Sequence, residues 1–416
     1  MRGALSWPFM RLYGLALLFF SGNAILNVII PLRGESLGAS NTTIGIVMGA
    51  YLLTTMFFRP WAGRIIQQRG PVKVLRTILI LNGLALILYT FTGLPGYFFA
   101  RMLQGVCTAF FSMALQIGII DALPDKDRAQ GISLYSLFTY MPGIVGPLLA
   151  ISLWDGGDMS AFAFVMIAIA VLTGLFGYTV RMAPQSNGTS DVSGGGQAAN
   201  EKGVEQQAAD KKGSGMLESL GQLLRNRALS RSCSIMLAAS LVFGAVTAFV
   251  PLYAAEVSGG SAGIYLMLQA GTVVLARFTL RTRVPSDGQW HNAFMMGTIL
   301  VLALASLFVG IAASGGFIFF YLGAVLMGLA QAILYPSLMT YLSFVLPQHS
   351  RNVLIGLFIA SADLGVSLGG ILMGPAADLL SYSWMYIICA LLCAAMLPVA
   401  YGRRKTAVAM SQQQSV

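Results

Sequence analysis

Two ionisable residues lie inside stretches otherwise too apolar to solvate them, and chemistry in this chain would have to be built from these. Arg101 sits in YFFARMLQGVCTAFFSMALQIGIIDA, which runs from Tyr97 to Ala122. A helix of that length crosses a bilayer, and a bare guanidinium within it costs several kcal/mol, so Arg101 must face the protein interior. Gln104 and Gly105 follow one turn along the same face, setting two polar side chains beside a place where another helix can approach closely. Asp363, in SADLGVSLGGILMGP, is an acid near the middle of a span. A carboxyl that is neutral or charged as its access alternates can carry a proton. The other readings of Asp363 are an ion pair with Arg101 or Arg59, or a water-facing acid without coupling duty. Arg59, followed by Pro60, reads as a brace at the inner end of its span, and Asp121 and Asp378, at span ends, are expected to meet solvent.

The elements that would hold these residues follow from composition. The chain has 416 residues, 56% hydrophobic and only 10% charged, with mean hydropathy +0.76. A soluble domain carries about 25% charged residues, so the chain falls in the membrane class. Apolar runs give twelve spans, at roughly 12–31, 43–66, 74–92, 96–122, 130–154, 160–182, 231–254, 262–281, 291–313, 317–345, 352–377 and 384–402. With the N-terminus inside, Arg2, Arg11, Arg64, Arg69, Lys73, Arg76, Lys126, Arg128, Arg181, Arg281, Arg283, Arg351, Arg403, Arg404 and Lys405 fall on the cytoplasmic side, and the outer loops hold Arg33. That asymmetry sets topology and accounts for the net charge of +10 without nucleic acid. Cys107, Cys233, Cys389 and Cys393 lie in or beside spans; Cys389 and Cys393 share a helix face, and a packing role is expected rather than a metal site. No nucleophile, histidine pair or metal cluster argues for an enzyme.

From Pro184 the pattern turns polar and Gly/Ser-rich, SNGTSDVSGGGQAANEKGVEQQAADKKGSG, a composition that cannot offset its ordering entropy and reads as a flexible linker. Residues 216–229, MLESLGQLLRNRAL, regain helical periodicity and could lie along the membrane face. Six spans lie on either side, and the halves resemble each other. Leu123-Pro124 matches Leu346-Pro347 at an offset of 223, which also relates Arg128 to Arg351 and Gly105 to Gly328. Arg59 and Gly70 are spaced as Arg277 and Gly288 are, and Pro31-Leu32 ends one span as Pro251-Leu252 ends another. Such a repeat is the architecture of a transporter with its site between two bundles. Arg101 and Gln104 have no counterpart, because Ala324 and Met327 stand at the equivalent places. Gly45-x-x-x-Gly49 and Gly365-x-x-x-Gly369 are small-residue faces that permit close helix contact.

These features together resemble the major facilitator superfamily over nearly the whole chain. Gly63-Arg64-Ile65-Ile66-Gln67-Gln68-Arg69-Gly70-Pro71-Val72-Lys73-Val74-Leu75 is similar to its motif A, with Gly63, Arg64, Gly70 and Lys73 matching and Gln67 where the family has an aspartate. Arg101-Met102-Leu103-Gln104-Gly105 resembles motif B, whose arginine the family associates with proton transfer or substrate charge. Gly146-Pro147 matches part of motif C, the antiporter signature. The resemblance implies an all-α membrane protein of two pseudo-symmetric six-helix bundles, over 1–183 and 231–402, joined by a cytoplasmic linker over 184–230 and followed by a cytoplasmic tail over 403–416. It also implies that spans two and eleven meet across the halves and that spans one, four, seven and ten line a cavity. Candidate substrate contacts are then Asn23, Asn27, Arg101, Gln104, Gln116, Tyr335, Thr340 and Tyr341, with Tyr140 nearby and Asp363 and Arg101 as the proton-coupling pair. One cation among neutral donors suits an anionic or zwitterionic solute better than a bulky cation.

Within the superfamily, the opening LSWPFMRLYGLALLFFSGNAILNVIIPL with FFRPWAGRI is similar to exporters of opine-type metallophores such as staphylopine. The expectation is a proton-coupled antiporter working by alternating access as a monomer. It would sit in the cell membrane with both termini cytoplasmic, with the proton gradient as its energy source and no cofactor, no metal and no nucleic acid. Multidrug or sugar efflux and solute uptake are the alternatives.

Overall fold

The computed structural model describes residues 3, 5–123, 125–156, 159–179, 226–280, 283, 285, 287–347 and 351–401. The first half holds α1 (Trp7–Ser36), α2 (Asn41–Arg69), α3 (Pro71–Phe91), α4 (Leu94–Ala122), α5 (Asp125–Tyr140), α6 (Pro142–Asp155) and α7 (Met159–Tyr178). The second holds α8 (Arg227–Tyr253), α9 (Ala262–Thr279), α10 (Asn292–Gly310), α11 (Phe317–Val345), α12 (Arg351–Leu379) and α13 (Tyr382–Ala395). Among the described residues twelve helices are long and apolar enough to cross a membrane. In hydrocarbon every backbone polar group must find its partner within the chain, which is why continuous helices are used throughout. The break between α5 and α6 is local. Met141 keeps helical angles and its amide still bonds the Leu137 carbonyl at 3.0 Å, Pro142 brings no N–H, and the Ile144 amide turns to the Met141 carbonyl at 3.0 Å, so the ladder is interrupted for about one turn and Gln130–Asp155 acts as one span.

Of the linker expected over 184–230, residues 184–225 lie outside the described residues, as do the tail over 403–416 and most of 216–229. The second bundle opens at Arg227, ahead of the apolar run that marks it in the sequence. The reason is the Asn226 side chain, which accepts from the amides of Ala228 at 3.1 Å and Leu229 at 3.2 Å and so fixes the helix start.

Packing repeats between halves. In the first, α1 lies on α6, α2 on α4, and α3 on α4 and α7; in the second, α8 lies on α12, α9 on α11, and α10 on α11 and α13. Gly105 and Gly328 show the equivalence at atomic scale. A Cβ on Gly105 would stand 2.3 Å from the Tyr51 carbonyl oxygen, and one on Gly328 would stand 2.4 Å from that of Gln269. Tyr51 and Gln269 are 218 positions apart, as are Arg59 and Arg277, so the duplicated sequence produces duplicated crossings.

The halves meet through α2 with α12, α6 with α9, and α1 with α8. At the end where α1 turns into α2 this seam is tight. The Asp378 carboxylate accepts from the amides of Asn41 at 2.8 Å and Thr42 at 2.9 Å and from the Thr42 hydroxyl at 2.6 Å, and the Tyr382 hydroxyl donates to Asn41 Oδ1 at 2.6 Å. Asp378 is exposed, as expected at a span end, and it also closes the N-terminus of a helix from the other half, where unpaired amides attract a negative charge. Gly45 and Gly49 do lie against α12, facing the carbonyls of Gly370 and Ser367. Gly365 and Gly369, in contrast, face α8 within their own half, and Gly370 and Gly374 make the approach to α2. Gly370 is one residue on from Gly369, and one step turns a helical residue by about 100°.

Candidate functional site

Between the halves lies a cavity of about 1010 Å³. Gln116 near the end of α4, Ile132 near the start of the Gln130–Asp155 span, Thr340 near the end of α11 and Ile359 near the start of α12 all line it. It therefore extends toward the end of the bundle where α2 turns into α3, away from the Asp378 seal. Among the described residues Asp363 is the one acidic residue on its wall, and Arg59 and Arg277 are the two basic ones.

Arg59 and Asp363 form an ion pair between α2 and α12, with Nε at 2.6 Å from Oδ2 and Nη2 at 3.5 Å from Oδ1. The carboxylate side chain is 12% exposed and the arginine 28%, so the pair is shielded yet within reach of the cavity. Arg59 thus does more than brace a helix end: it is the partner of the intramembrane acid. Arg277 occupies the equivalent position on α9 and crosses to α5, where Nη1 donates to Ser136 Oγ at 3.1 Å and Nη2 to the Tyr140 hydroxyl at 3.0 Å. Its guanidinium carbon lies 4.3 Å from the Tyr140 ring centroid. All these partners are neutral.

Arg101 does not line the cavity. It is fully buried behind α1, donating from Nη1 to Asn23 Oδ1 at 2.6 Å and from Nη2 to Asn27 Oδ1 at 2.8 Å, with the Tyr51 ring centroid 5.3 Å away. Gln104 belongs to the same buried group, its Oε1 accepting from the Tyr89 hydroxyl at 3.1 Å. A guanidinium can only donate, so it turns the amide oxygen of each asparagine inward. Asn23 and Asn27 both line the cavity, and the oxygens being taken, each has its NH₂ free to serve as the donor there. Arg101 acts on the cavity through these two side chains.

The sequence profile of the Major Facilitator Superfamily matches residues 12–282 and 290–413. The chain is 52% identical over 406 residues to the staphylopine export protein of Staphylococcus aureus, covering 98% of each chain. This chain belongs to the major facilitator superfamily. It is a multi-pass membrane transporter. Among solved structures it superposes on the nucleoside transporter NupG with a TM-score of 0.73 at 14% identity, covering 94% of this chain and 98% of that one. A POT family transporter in complex with 5-aminolevulinic acid gives 0.72 at 11%, covering 98% and 96%. At such identities these two bear on fold alone.

Of the residues singled out in the sequence, Asn23, Asn27, Gln116, Tyr140, Tyr335, Thr340 and Asp363 line the superfamily cavity. Arg101 and Gln104 stand behind it, and Tyr341 packs edge-on against Trp290 with centroids 4.9 Å apart, outside the lining. Among the motif residues, Gly146 lets α6 approach α1, since its Cβ would stand 2.6 Å from that of Ala24, and Pro147 reaches the cavity wall. Gly63 packs toward Met113 of α4, Gly70 ends α2 with φ of 80°, and Arg64 and Lys73 are exposed. His291 pairs with Asp287 at 2.9 Å in an exposed loop, where the Gln289 amide and then the imidazole hold that carboxyl below its ordinary range. The four cysteines are free and buried. Sequence reasoning left Arg59 as one of two possible partners of Asp363 and missed Arg277 as a site residue. The signal was the repeat itself, which keeps an arginine at the same place in both halves.

Proposed function

We propose that this transporter exports an opine-type metallophore of the staphylopine kind from the cell in exchange for protons. The observation that carries the reading is the charge of the cavity wall: two arginines and one carboxylate, with asparagine donors on α1. Such a wall suits a solute with several carboxylates and an amine, and the 52% identical relative named for staphylopine export supports the same class. The distribution of Lys and Arg supports a cell-membrane setting with both termini cytoplasmic. On that orientation the Asp378 seal is on the outer side and the cavity opens inward, as a loading state requires. The site lies between the halves of one chain, which supports a working monomer.

The chemistry of exchange narrows the solute further. For antiport, solute and proton must exclude each other at one group. A solute bearing only carboxylates would draw Arg59 away from Asp363, and that withdrawal and protonation of Asp363 assist each other, which yields co-transport. A zwitterion behaves differently: its ammonium occupies the Asp363 carboxylate while its carboxylates meet arginine, so solute and proton compete. Protonation of Asp363 from outside then displaces the solute and frees the carrier to reset.

Everted vesicles energised to an acid interior, with a pH dye reporting proton release, test this. Metal-free staphylopine is expected to discharge the gradient with the wild-type protein, whereas Asp363→Asn gives no response. Discharge by lipophilic cations and not by the opine would make the protein a drug pump and remove the proposal.

A further inference from the structure

The two crossings between halves are related by the repeat, yet only one is electrically complete. Arg59 on α2 and Arg277 on α9 are equivalent at the spacing of 218, and Asp363 on α12 and Tyr140 on α5 are equivalent at the spacing of 223. Arg59 therefore meets a carboxylate where Arg277 meets a phenol. Arg277 holds Ser136 and Tyr140 through its two terminal nitrogens, while its Nε is buried with no hydrogen-bond partner. A half-buried guanidinium with only neutral partners and an unused donor lacks the counter-charge that Asp363 gives Arg59. No described carboxylate stands within ion-pair distance of it, and the cavity lies on its open side.

We propose that Arg277 is the carboxylate-receiving subsite of the cavity, the substrate supplying the anion that Asp363 supplies to Arg59 in the other crossing. This rests on the export reading above and adds to it a fixed polarity: a carboxylate of the solute at α9, its ammonium near Asp363 at α12. The planar fork of arginine accepts a carboxylate in two-point contact, which a neutral amide cannot reproduce. Ser136 and Tyr140 hold the guanidinium in place before the solute arrives, so little side-chain entropy is lost on binding.

Calorimetric binding to the purified full-length protein tests the assignment, using metal-free staphylopine, analogues in which one carboxylate at a time is an amide, and citrate as a carboxylate probe without an amine. The wild type is expected to bind one of the amides roughly 10- to 100-fold more weakly than the parent, the effect of losing a charge-assisted contact. Arg277→Gln is expected to bind the parent that much more weakly and to stop distinguishing it from that amide. The subsite is overturned if Arg277→Gln keeps the distinction, or if it weakens parent and all amides by one common factor, which is what a purely structural latch would do. If the wild type binds citrate but no opine, and Arg277→Gln loses citrate, the anion subsite stands and the metallophore reading falls. Binding of neither overturns both. Should Arg277→Gln aggregate, Arg277→Lys carries the same test, with the carboxylate preference expected to be reduced; a preference kept in full would count against the subsite.

Discussion

The first half of this transporter and the second share a scaffold and differ in what they place on it. Gly105 and Gly328 bring α4 onto α2 and α11 onto α9 at nearly identical distances. Arg59 and Arg277 reach across to the opposite half from equivalent places. The electrostatics at those places are not repeated. One arginine has Asp363 and the other Tyr140; Arg101 is buried in the first half while Ala324 fills its place in the second. Even the seal is one-sided: α2 and α9 each carry their own serine cap, Ser40 and Ser261, but α2 is also held from the other half by Asp378, whose equivalent is Asp155 at the end of α6. Duplication supplies two rocking bodies, and a carrier that binds a proton at one place and an anion at another needs that symmetry broken at single residues.

Breaking the asymmetry where it is most deeply buried should have the largest effect. Arg101→Ala removes two charge-assisted hydrogen bonds and leaves the inward-facing oxygens of Asn23 and Asn27 unpaired, a destabilisation of about 3 kcal/mol or more. Thermal unfolding in detergent should show it, with Arg101→Lys intermediate because an ammonium replaces a fork by a point. An unchanged melting temperature in the alanine variant would mean that the amides are free to turn and that Arg101 does not position them.

Restoring the symmetry is a second test. Tyr140→Asp gives Arg277 the partner Arg59 already has, so the subsite fills with the protein's own carboxylate and opine affinity should fall about tenfold. Affinity equal to wild type would indicate that Arg277 does not receive the solute. The smallest effect is expected at the seal. Asp378→Asn retains the shape but weakens the contacts with the first turn of α2, a shift of about 1 kcal/mol toward the state open at that end. Spin-label distances between the starts of α2 and α13 should lengthen in a larger fraction of molecules; no change would assign the closure to the glycine contacts instead.

Much of this was legible in the chain. Hydrocarbon solvates neither charge nor backbone, so the spans, the halves and the enclosure of Arg101 and Asp363 follow from order and composition. The asparagines of α1, Gln116 and the tyrosines facing the cavity could be named because the superfamily resemblance implied which spans line it, and helical spacing then showed that Asn23 and Asn27 share a face. Spacing does not fix which neighbour that face meets. Arg59 and Arg101 were both available to Asp363, and only the crossing of α2 with α12 chose between them. Gly365 and Gly369 carry the same pattern as Gly45 and Gly49, yet one stripe packs within its half and the other between halves. Arg277, read in the sequence only as a repeat marker, became a cavity residue once α9 was laid against α5 and α6. The sequence by itself determined which groups must leave water, since that depends on the solvent around each span. The tertiary structure decided which group compensates which, because ion pairs and hydrogen bonds act over a few ångströms and join residues hundreds of positions apart.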